Sequence, residues 1–558
     1  MSKECIADLL TRRFNRLLVL LGALALVSCG GSGKEKNFLF LVDAEVAKPF
    51  VWFFSDFDNT EAGFDDQLDY GDPFRATTLL IQDWTKRRDA ATTVARVEKM
   101  IAKWRLDEPD GKLTYTFAYG RLPAGWWSGM DSWSFPMLLL SLWQDTNDPR
   151  FKAIADQLIA TASRDVLEGG VVWRNGDECW FSEYAWNSME VADEFYVLNG
   201  HLYALQAIRM MALATNSAEL QSLYDCGLRG TKTRAMQFAI GDQWLLYMLE
   251  PKTINQTHYV IYESMQLDAL ARLDADPFFA DEAAKRRSLL ARYFPVRIRS
   301  TPTGPRLFLS AIGAPHPYSM DTYPLAVHCT DGTVQEDHVI ADPTNPAIPM
   351  SDRAFLDVPT ALNPESATCR VESRYVGLAH KLYERPTLWT QEPASAGVTV
   401  GMTLEAILDA RLLDSNAVEV DPARRFTVPP APLSYVDTQG RLIFTPDVPV
   451  PLGDEEFVGI EFSATGALRI GVTIVSEGVD YFRYYPQTLQ SDKTVVLLSP
   501  VGFDGGQAIR NIEKLTVFVY TDQQPAPVEL RNLRLVKFKG QADLYEYFRQ
   551  ESPEFYTE

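Results

Sequence analysis

The residue types best suited to chemistry in this chain are tryptophans, tyrosines and carboxylates, which gather in three short segments. Residues 122–130 read L-P-A-G-W-W-S-G-M, residues 180–184 read W-F-S-E-Y, and residues 196–203 read Y-V-L-N-G-H-L-Y. Flat aromatic rings cover the apolar faces of pyranoses, while carboxylates and amides fix the sugar hydroxyls. The three segments therefore predict a sugar-binding surface.

The same segments, in the same order, resemble the C-terminal catalytic domain of the D-glucuronyl C5-epimerases. That family's pattern reads L-P-P-G-W-Y-S-A-M, then W-Y-E-E-Y-P, then F-V-L-N-G-F-M-Y-S-L. The resemblance covers residues 112–294, about a third of the chain. It implies a helical catalytic domain that acts at C5 of a uronate in an anionic polysaccharide.

Epimerisation at C5 sets physical requirements on such a site. Removing the C5 proton leaves a dianionic enediolate-like species unless cations, hydrogen bonds or protonation neutralise the adjacent carboxylate. The site needs a base on one face of the sugar, an acid on the other, and donors at the carboxyl group. Tyrosine suits both faces, because its phenol donates a proton and also removes one where a basic neighbour lowers its pKa from about 10.

The resemblance assigns the catalytic roles to residues of this chain. The E-Y of W-Y-E-E-Y-P falls on Glu183 and Tyr184, and Glu183 is the expected base or orienter. The family segment Y-H-T-T-H-I-x-Q-L is matched by residues 257–267, which keep its histidine as His258 and displace its tyrosine to Tyr259. These four side chains are expected to act in proton transfer.

One departure from the family concerns the charge that meets the substrate carboxylate. The family segment I-Y-D-L-R-H corresponds to residues 246–250, which keep Tyr247 as a catalytic candidate but have Glu250 where the family has arginine. Arginine is a natural partner for a carboxylate. Lys252 or Arg121 is therefore expected to compensate.

Further substrate contacts are expected in and around the aromatic segments: Trp126, Trp127, Asp131, Trp180 and Asn199. Each aromatic residue taken singly fits a helical core equally well. Asn199 and Gly200 are expected to form a turn with positive φ that opens a helix and brings amide donors to the ligand. Residues 131–134 read D-S-W-S where the family has A-Q-G-Q, which predicts a different uronate, linkage or sulfation pattern.

Composition and charge limit the kinds of partner that the chain is expected to bind. A chain of 558 residues with 46% hydrophobic residues can form two or three domains. Its net charge of -21 argues against nucleic acid and requires a local basic patch to hold an anionic polysaccharide. The six histidines show no grouping such as H-E-x-x-H, so neither a metal site nor a cofactor is expected.

The first 29 residues have the features of an export signal. Basic residues precede an apolar run, residues 17–27, that is too short to span a bilayer comfortably. The tetrapeptide L-V-S-C, ending at Cys29, matches the bacterial lipoprotein box, in which the cysteine is acylated. We expect an exported lipoprotein held on the periplasmic or cell-surface face of a membrane. An ordinary signal peptide, with Cys29 there by chance, is the alternative.

Four cysteines remain in the exported part. An oxidising compartment permits a pair between Cys329 and Cys369 and a second between Cys179 and Cys226. Spacing alone does not determine the connectivity.

Hydrophobic periodicity predicts a multidomain α + β chain. Helical spacing over residues 77–297, with the aromatic segments in short loops, predicts an α/α toroid, an incomplete helical barrel. Short alternating runs over residues 425–540 predict an antiparallel β-sandwich like those of carbohydrate-binding modules. Residues 113–119 fit a short strand, and residues 404–413 an amphipathic helix. The other expected segments are a signal peptide (1–29), a tether and N-terminal extension (30–76), an unassigned proline-rich middle region (298–424) and a C-terminal tail (541–558).

Four functions remain open. The first is a lipid-anchored polysaccharide uronate C5-epimerase, of the D-glucuronate to L-iduronate type, with an accessory glycan-binding sandwich. The second is a polysaccharide lyase, which removes the same C5 proton and then expels the C4 substituent. The third is a glycoside hydrolase using Asp131 and Glu183. The fourth is a non-catalytic surface glycan-binding protein. A homodimer is also left open.

Overall fold

The structure is a computed structural model that describes the chain between residues 44 and 538 with gaps. The described residues are 44–52, 59–87, 90–109, 111–119, 122–292, 296–301, 304–310, 322–329, 334–340, 355–358, 369–373, 386–388, 399–403, 409–412, 419–420, 426–428, 440–446, 448–453, 457–464, 468–489, 494–499, 505–520 and 528–538. The leader with Cys29 and the tail from residue 541 lie outside them.

Helices dominate the described chain up to residue 292. They are α1 (Ala44–Ala47), α2 (Glu61–Tyr70), α3 (Pro73–Arg87), α4 (Ala90–Trp104), α5 (Gly129–Thr146), α6 (Pro149–Ala162), α7 (Leu198–Thr215), α8 (Ala218–Arg234), α9 (Thr257–Leu273) and α10 (Pro277–Arg292). Local sequence sets several ends. Ser128, Asp148 and Ser217 each accept a hydrogen bond from a first-turn amide as N-caps of α5, α6 and α8. Asn147 and Asn216 end α5 and α7 with φ of 58° and 52°.

The helices pack in two rows. Helices α3, α5, α7 and α9 pack side by side in that order, and α4, α6, α8 and α10 each pack on the helix that precedes them. Helices α5 and α7 are apolar on nearly all sides and are buried along most of their length, as expected for an inner row. The helical region predicted from periodicity is therefore confirmed, while its description as a toroid stays a prediction.

Strands interrupt the helices and then replace them. A hairpin of β1 (Val172–Asn175) and β2 (Glu178–Phe181) lies between α6 and α7, and β3 (Ala239–Ile240), β4 (Trp244–Leu249) and β5 (Lys252–Ile254) lie between α8 and α9. The later strands are β6 (Val296–Thr301), β7 (Gly304–Ser310), β8 (Thr322–Cys329), β9 (Val334–Ile340), β10 (Phe355–Val358), β11 (Cys369–Ser373), β12 (Pro386–Leu388), β13 (Thr399–Thr403), β14 (Asp409–Leu412), β15 (Glu419–Val420), β16 (Phe426–Val428), β17 (Gly440–Thr445), β18 (Val450–Pro451), β19 (Phe457–Ala464), β20 (Leu468–Ser476), β21 (Val479–Leu489), β22 (Thr494–Ser499), β23 (Asn511–Ile512), β24 (Lys514–Tyr520) and β25 (Val528–Phe538).

One sheet joins the helical and strand-rich regions. Its strand order is β14-β17-β24-β20-β21-β5-β4-β3, and a second large sheet has the order β15-β16-β25-β19-β22 with β13 also paired to β25. The smaller sheets are β12-β11-β8-β9, β10-β7-β6, β1-β2 and β18-β23. Strands β21 and β5 pair in parallel at Asp480 and Thr253, so the C-terminal strands extend a sheet that begins in the helical region.

The strand predictions have mixed outcomes. The alternating runs predicted after residue 425 lie in β17, β19, β20, β22, β24 and β25, although their grouping into a sandwich stays a prediction. The helix expected over residues 404–413 is wrong, because Asp409–Leu412 is strand β14 paired with β17. Cross-strand pairing overrides a local helical spacing. The domain boundaries stay predictions, and α1 and α2 lie within the segment predicted as an N-terminal extension.

Residues 113–119 do not form the expected strand. Residues 115–119 and 122–126 instead run back along each other, and we call them the 115–126 loop. The amide of Tyr115 donates to the Trp126 carbonyl at 2.8 Å, and the amide of Gly125 donates to the Tyr115 carbonyl at 2.7 Å. Tyr119 and Leu122 exchange two backbone hydrogen bonds at its tip. Gly125 has a φ of 93°, a conformation that glycine adopts without strain.

A disulfide fastens the β1-β2 hairpin to helix α8. It joins Cys179 to Cys226, whose Cα atoms are 5.0 Å apart, and confirms one of the two expected pairs. Cys329 and Cys369 lie directly opposite each other on β8 and β11, and the bond between them stays a prediction. None of the helices in the described part of the chain is long and apolar enough to cross a membrane.

Candidate active site

Backbone pairing brings the main candidate residues together. Strand β2 leads within two residues to Glu183, and β4 carries Tyr247. A bridge joins Val197, the residue before α7, to Met248 of β4. The start of α7 is thus held beside β4, and Glu183 and Tyr247 face each other across a short gap.

Glu183 is the centre of the site. Its side chain is buried, with 8% of the residue exposed. The Tyr247 hydroxyl donates to Oε1 of Glu183 at 3.4 Å, while Oε2, which lies against Gly200, has no hydrogen-bond partner among the described residues. The hydroxyls of Tyr184 and Tyr247 are 3.1 Å apart. One carboxylate and two phenols therefore form a connected hydrogen-bond network.

Gly200 leaves the space that Glu183 occupies. A Cβ atom on Gly200 would lie 2.3 Å from Oε2 and 2.6 Å from Cβ of Glu183. Gly200 lies in the first turn of α7 and is not among the residues with positive φ. The turn with positive φ expected at Asn199 and Gly200 is therefore wrong, because the glycine serves close approach instead. Amides at a helix start also favour a carboxylate.

The pKa values divide the network into a base and donors. Burial raises the pKa of Glu183 from 4.5 to about 7, and the polar groups of Tyr184, Tyr247 and Gly200 beside it oppose that rise. Burial and the Glu183 carboxylate raise the pKa of Tyr184 and Tyr247 well above 10. The expectation that a neighbour lowers a tyrosine pKa fails here. At neutral pH Glu183 accepts protons and the phenols donate them.

The second helix of the site begins with Tyr259 and His258. Tyr259 is half-buried in the first turn of α9, and its ring centre is 4.9 Å from that of Tyr247. The side chain of His258 lies outside the described part of the structure, as does all of Arg121. Lys252 is exposed on β5. The cation expected at Lys252 or Arg121 stays a prediction.

Four expected substrate contacts lie inside the protein instead. Trp127 is 2% exposed, Trp180 1%, Asp131 0% and Asn199 1%. Trp180 stacks on His201 with ring centres 3.9 Å apart. These assignments are corrected, because the side chains pack in the interior, where a sugar cannot meet them.

Asp131 supports the site from behind. The Tyr115 hydroxyl donates to Oδ1 of Asp131 at 3.5 Å, and the Tyr115 ring stacks on Trp126 with centres 3.6 Å apart. Burial raises the pKa of Asp131 well above 3.8, which favours the neutral form of this carboxyl group. Among the described residues, no group of three or more His, Cys, Asp or Glu side chains is arranged to hold a metal ion.

Two residues near the site escape the sequence patterns. Tyr119 is 51% exposed and interacts electrostatically with the Glu183 carboxylate. Glu194 is 5% exposed and accepts a hydrogen bond from the Tyr196 amide at 2.8 Å. Burial raises the pKa of Glu194 to about 8, while hydrogen bonds from Tyr196 and Ser182 oppose the rise. In the sequence, an aromatic residue beside a loop glycine is the pattern that could have identified Tyr119. The burial of Glu194 depends on contacts that are distant in the sequence.

Comparison with known proteins supports the family resemblance. Residues 107–288 match the family model of the D-glucuronyl C5-epimerase C-terminus. The match confirms the resemblance of the aromatic segments, and its range includes Glu183, Tyr184, Tyr247 and Tyr259. It covers about a third of the chain. Among curated proteins, nothing matches the chain.

Solved structures show only a distant likeness. The unsaturated glucuronyl hydrolase of Bacillus sp. GL1, described as responsible for glycosaminoglycan degradation, is 14% identical over 46% of this chain and 74% of its own, with a TM-score of 0.31. The Lin0763 protein of Listeria innocua is 11% identical over 46% of this chain and 67% of its own, with a TM-score of 0.29. Both scores are low, and the fold described above rests on this chain's own elements.

Gly200→Ala tests the close approach of α7 to Glu183. We expect the variant to be less stable by about 1–3 kcal/mol, because the new methyl group overlaps the carboxylate and overpacking outweighs the better helix propensity of alanine. Urea unfolding measures the difference. Gly471→Ala is the control, since its Cβ would lie 3.3 Å from the nearest atom. A Gly200→Ala protein as stable as the wild type contradicts the expected overlap.

Glu183→Gln tests the raised pKa through stability. A carboxyl group whose folded pKa is raised to about 7 contributes stability below its unfolded pKa near 4.5 and loses it as pH rises through 7. We expect the variant to gain roughly 1–3 kcal/mol over the wild type between pH 4 and pH 8. Urea unfolding at both pH values measures the gain.

In the control variant, Glu178→Gln, the stability relative to the wild type should change with pH in the opposite direction. Hydrogen bonds from Thr233 and Arg234 lower the pKa of Glu178, although burial opposes them, so Glu178→Gln should lose stability relative to the wild type as pH rises. A Glu183→Gln difference that does not change with pH would show an ordinary pKa for Glu183.

Proposed function

We propose that this protein is a polysaccharide uronate C5-epimerase of the D-glucuronate to L-iduronate type. The observation that carries the proposal is the network of Glu183, Tyr184 and Tyr247, in which a carboxylate with a pKa near 7 accepts a hydrogen bond from one of two linked, protonated phenols. This network holds a base and two acids in the protonation states that proton transfer requires at neutral pH. The family match over residues 107–288 supports the same chemistry.

Glu183 is the base in this proposal. Its carboxylate takes the proton from C5 of the uronate, the C5–H bond breaks, and the electron pair moves toward the substrate carboxyl group. Burial favours the neutral form of Glu183 that results. The charge that develops on the substrate is stabilised by hydrogen-bond donors, for which the Tyr184 and Tyr247 phenols and a cation at Lys252 or Arg121 are the candidates.

A tyrosine on the other side of the sugar returns a proton to the opposite face of C5, and Tyr259, whose ring centre is 4.9 Å from that of Tyr247, is the candidate. This phenol gives up its proton, the new C5–H bond forms, and a phenolate is left. Tyr247, 3.4 Å from Glu183 and beside Tyr259, is the candidate to connect that phenolate to the neutral Glu183. The proton of Glu183 then passes back along this chain. The cycle ends with Glu183 ionised and both tyrosines neutral, and no oxidant or reductant is needed.

The architecture around the site completes the proposal. The inner helices α3, α5, α7 and α9 with their partners fit an incomplete α/α toroid, and the C-terminal strands fit a glycan-binding β-sandwich. We also propose that a lipid on Cys29 anchors the exported protein to a membrane. His258 acts beside Tyr259 in this proposal, and we propose that two copies of the chain associate.

A lyase is the second candidate. The Tyr247 hydroxyl lies 3.4 Å from the base, and the Tyr184 hydroxyl lies 3.1 Å from that of Tyr247. An acid beside the base suits removal of the C5 proton and the C4 group from one face. A hydrolase using Asp131 and Glu183 is disfavoured, because Asp131 is fully buried behind Tyr115 and Trp126. No glycosidic bond reaches it there.

Solvent exchange at C5 tests the proposal. We expect the wild type to place deuterium at C5 of heparosan in deuterated water and to produce iduronate signals by NMR. Tyr247→Phe should lower the exchange rate about 100-fold or more, and Glu183→Gln should remove measurable exchange, because acid and base each contribute on the order of 10²–10⁴ in rate.

The matched control is Tyr224→Phe. Its hydroxyl donates to Asp274 at 2.9 Å, so the variant removes another phenol-carboxylate bond, on helix α8, without touching the network. It should exchange at the wild-type rate. Ultraviolet absorbance from an unsaturated uronate would establish the lyase instead. Full exchange in Tyr247→Phe or Glu183→Gln would overturn the site, and glycan affinity without any turnover would indicate a binding protein.

A further inference from the structure

The aromatic ring that meets solvent beside the site is Tyr119. Trp126, the ring expected to bind sugar, is only 5% exposed, because Tyr115 stacks on one face of it. Tyr119 is 51% exposed, and its ring centre lies 6.4 Å from that of Trp126 at an interplanar angle of 31°. The exposed platform at this edge is therefore a tyrosine that neither the aromatic segments nor the family pattern singles out.

The 115–126 loop holds Tyr119 in a defined position. Tyr119 and Leu122 are joined by backbone hydrogen bonds of 3.0 and 2.8 Å. Behind them, the indole Nε1 of Trp126 donates to the Phe117 carbonyl at 3.1 Å. The loop is thus braced on its inner side by a buried ring. An exposed ring on a braced support loses little side-chain entropy when it binds.

Tyr119 lies close to the proton-transfer network. The ring centre of Trp126 is 5.8 Å from that of Tyr184, so the Trp126 ring contacts both Tyr119 and the catalytic phenol of Tyr184. Electrostatic interactions link Tyr119 with both Glu183 and Tyr184. Tyr119 is therefore placed at the edge of the site, where a neighbouring sugar of a chain bound at Glu183 and Tyr184 would meet it.

We infer that Tyr119 forms a separate aromatic subsite that stacks on a neighbouring sugar residue of a bound glycan chain. This rests on the proposed function for the identity of the substrate as a uronate polysaccharide. The apolar face of the pyranose meets the face of the ring, so the phenol hydroxyl is not required. The preferred substrate is then an oligosaccharide long enough to reach beyond the reacting uronate, and a disaccharide gains nothing from Tyr119.

Binding of heparosan oligosaccharides of increasing length tests the subsite. By titration calorimetry we expect Tyr119→Ala to weaken octasaccharide binding about tenfold, in the range of an aromatic stacking contact, and to leave disaccharide binding unchanged. With the octasaccharide, KM should rise and kcat should stay near the wild-type value. Tyr119→Phe keeps the ring and should bind like the wild type.

Tyr70→Ala is the control for losing an exposed tyrosine. Tyr70 is 49% exposed, and its ring contacts Phe117 and Arg75 but not Trp126. It should bind both oligosaccharides normally. Full octasaccharide affinity in Tyr119→Ala, an equal loss in Tyr119→Phe, or an equal loss for the disaccharide would each overturn the subsite.

The subsite and the proposed reaction fail in different ways. Calorimetry does not require turnover, so a length-dependent loss in Tyr119→Ala stands even if the wild type shows no exchange at C5. That combination would reject the epimerase and keep the subsite. Normal exchange by the wild type, with unchanged affinity in Tyr119→Ala, would reject the subsite alone.

Discussion

The burial of the Glu183 carboxylate against the first turn of α7 is the constraint on which the site depends. Water is largely excluded from this carboxylate, and the polar groups beside it are the Tyr247 phenol, which donates to Oε1, the Tyr184 phenol and the Gly200 amide. The lost hydration favours the neutral acid, and these polar groups favour the anion. The balance leaves a base that changes its charge near neutral pH, and the same carboxylate keeps both phenols protonated.

The strand-rich region helps to position Tyr247, the phenol that donates to Glu183. Strand β4, which carries Tyr247, pairs with β5, and β5 pairs with β21 of the C-terminal region. Gly505 packs directly against Trp244 of β4, where a Cβ atom would lie 2.5 Å from the indole ring. Trp244 in turn donates to the Asn255 carbonyl at 2.6 Å, just before α9. The C-terminal strands are thus part of the scaffold that positions Tyr247.

Local signals in the sequence predict a large part of this arrangement. Helical spacing and capping residues such as Ser128 and Asp148 act within a few residues, so the helices are predictable, and the resemblance to the epimerase segments identifies Glu183 and Tyr247. Burial is a long-range property. Trp127 and Trp180 look like a sugar platform, yet packing between the inner helices hides them. The need for a glycine at position 200 appears only once α7 and Glu183 are seen side by side.

The titration of Glu183 tests the central claim most directly. Difference infrared spectra between the wild type and Glu183→Gln, recorded from pH 4 to pH 9, isolate the carboxyl and carboxylate bands of this one side chain. A buried carboxylate balanced by phenol and amide donors should change from one band to the other with a midpoint near pH 7. A midpoint near 4.5 would show a solvated carboxylate and contradict the account.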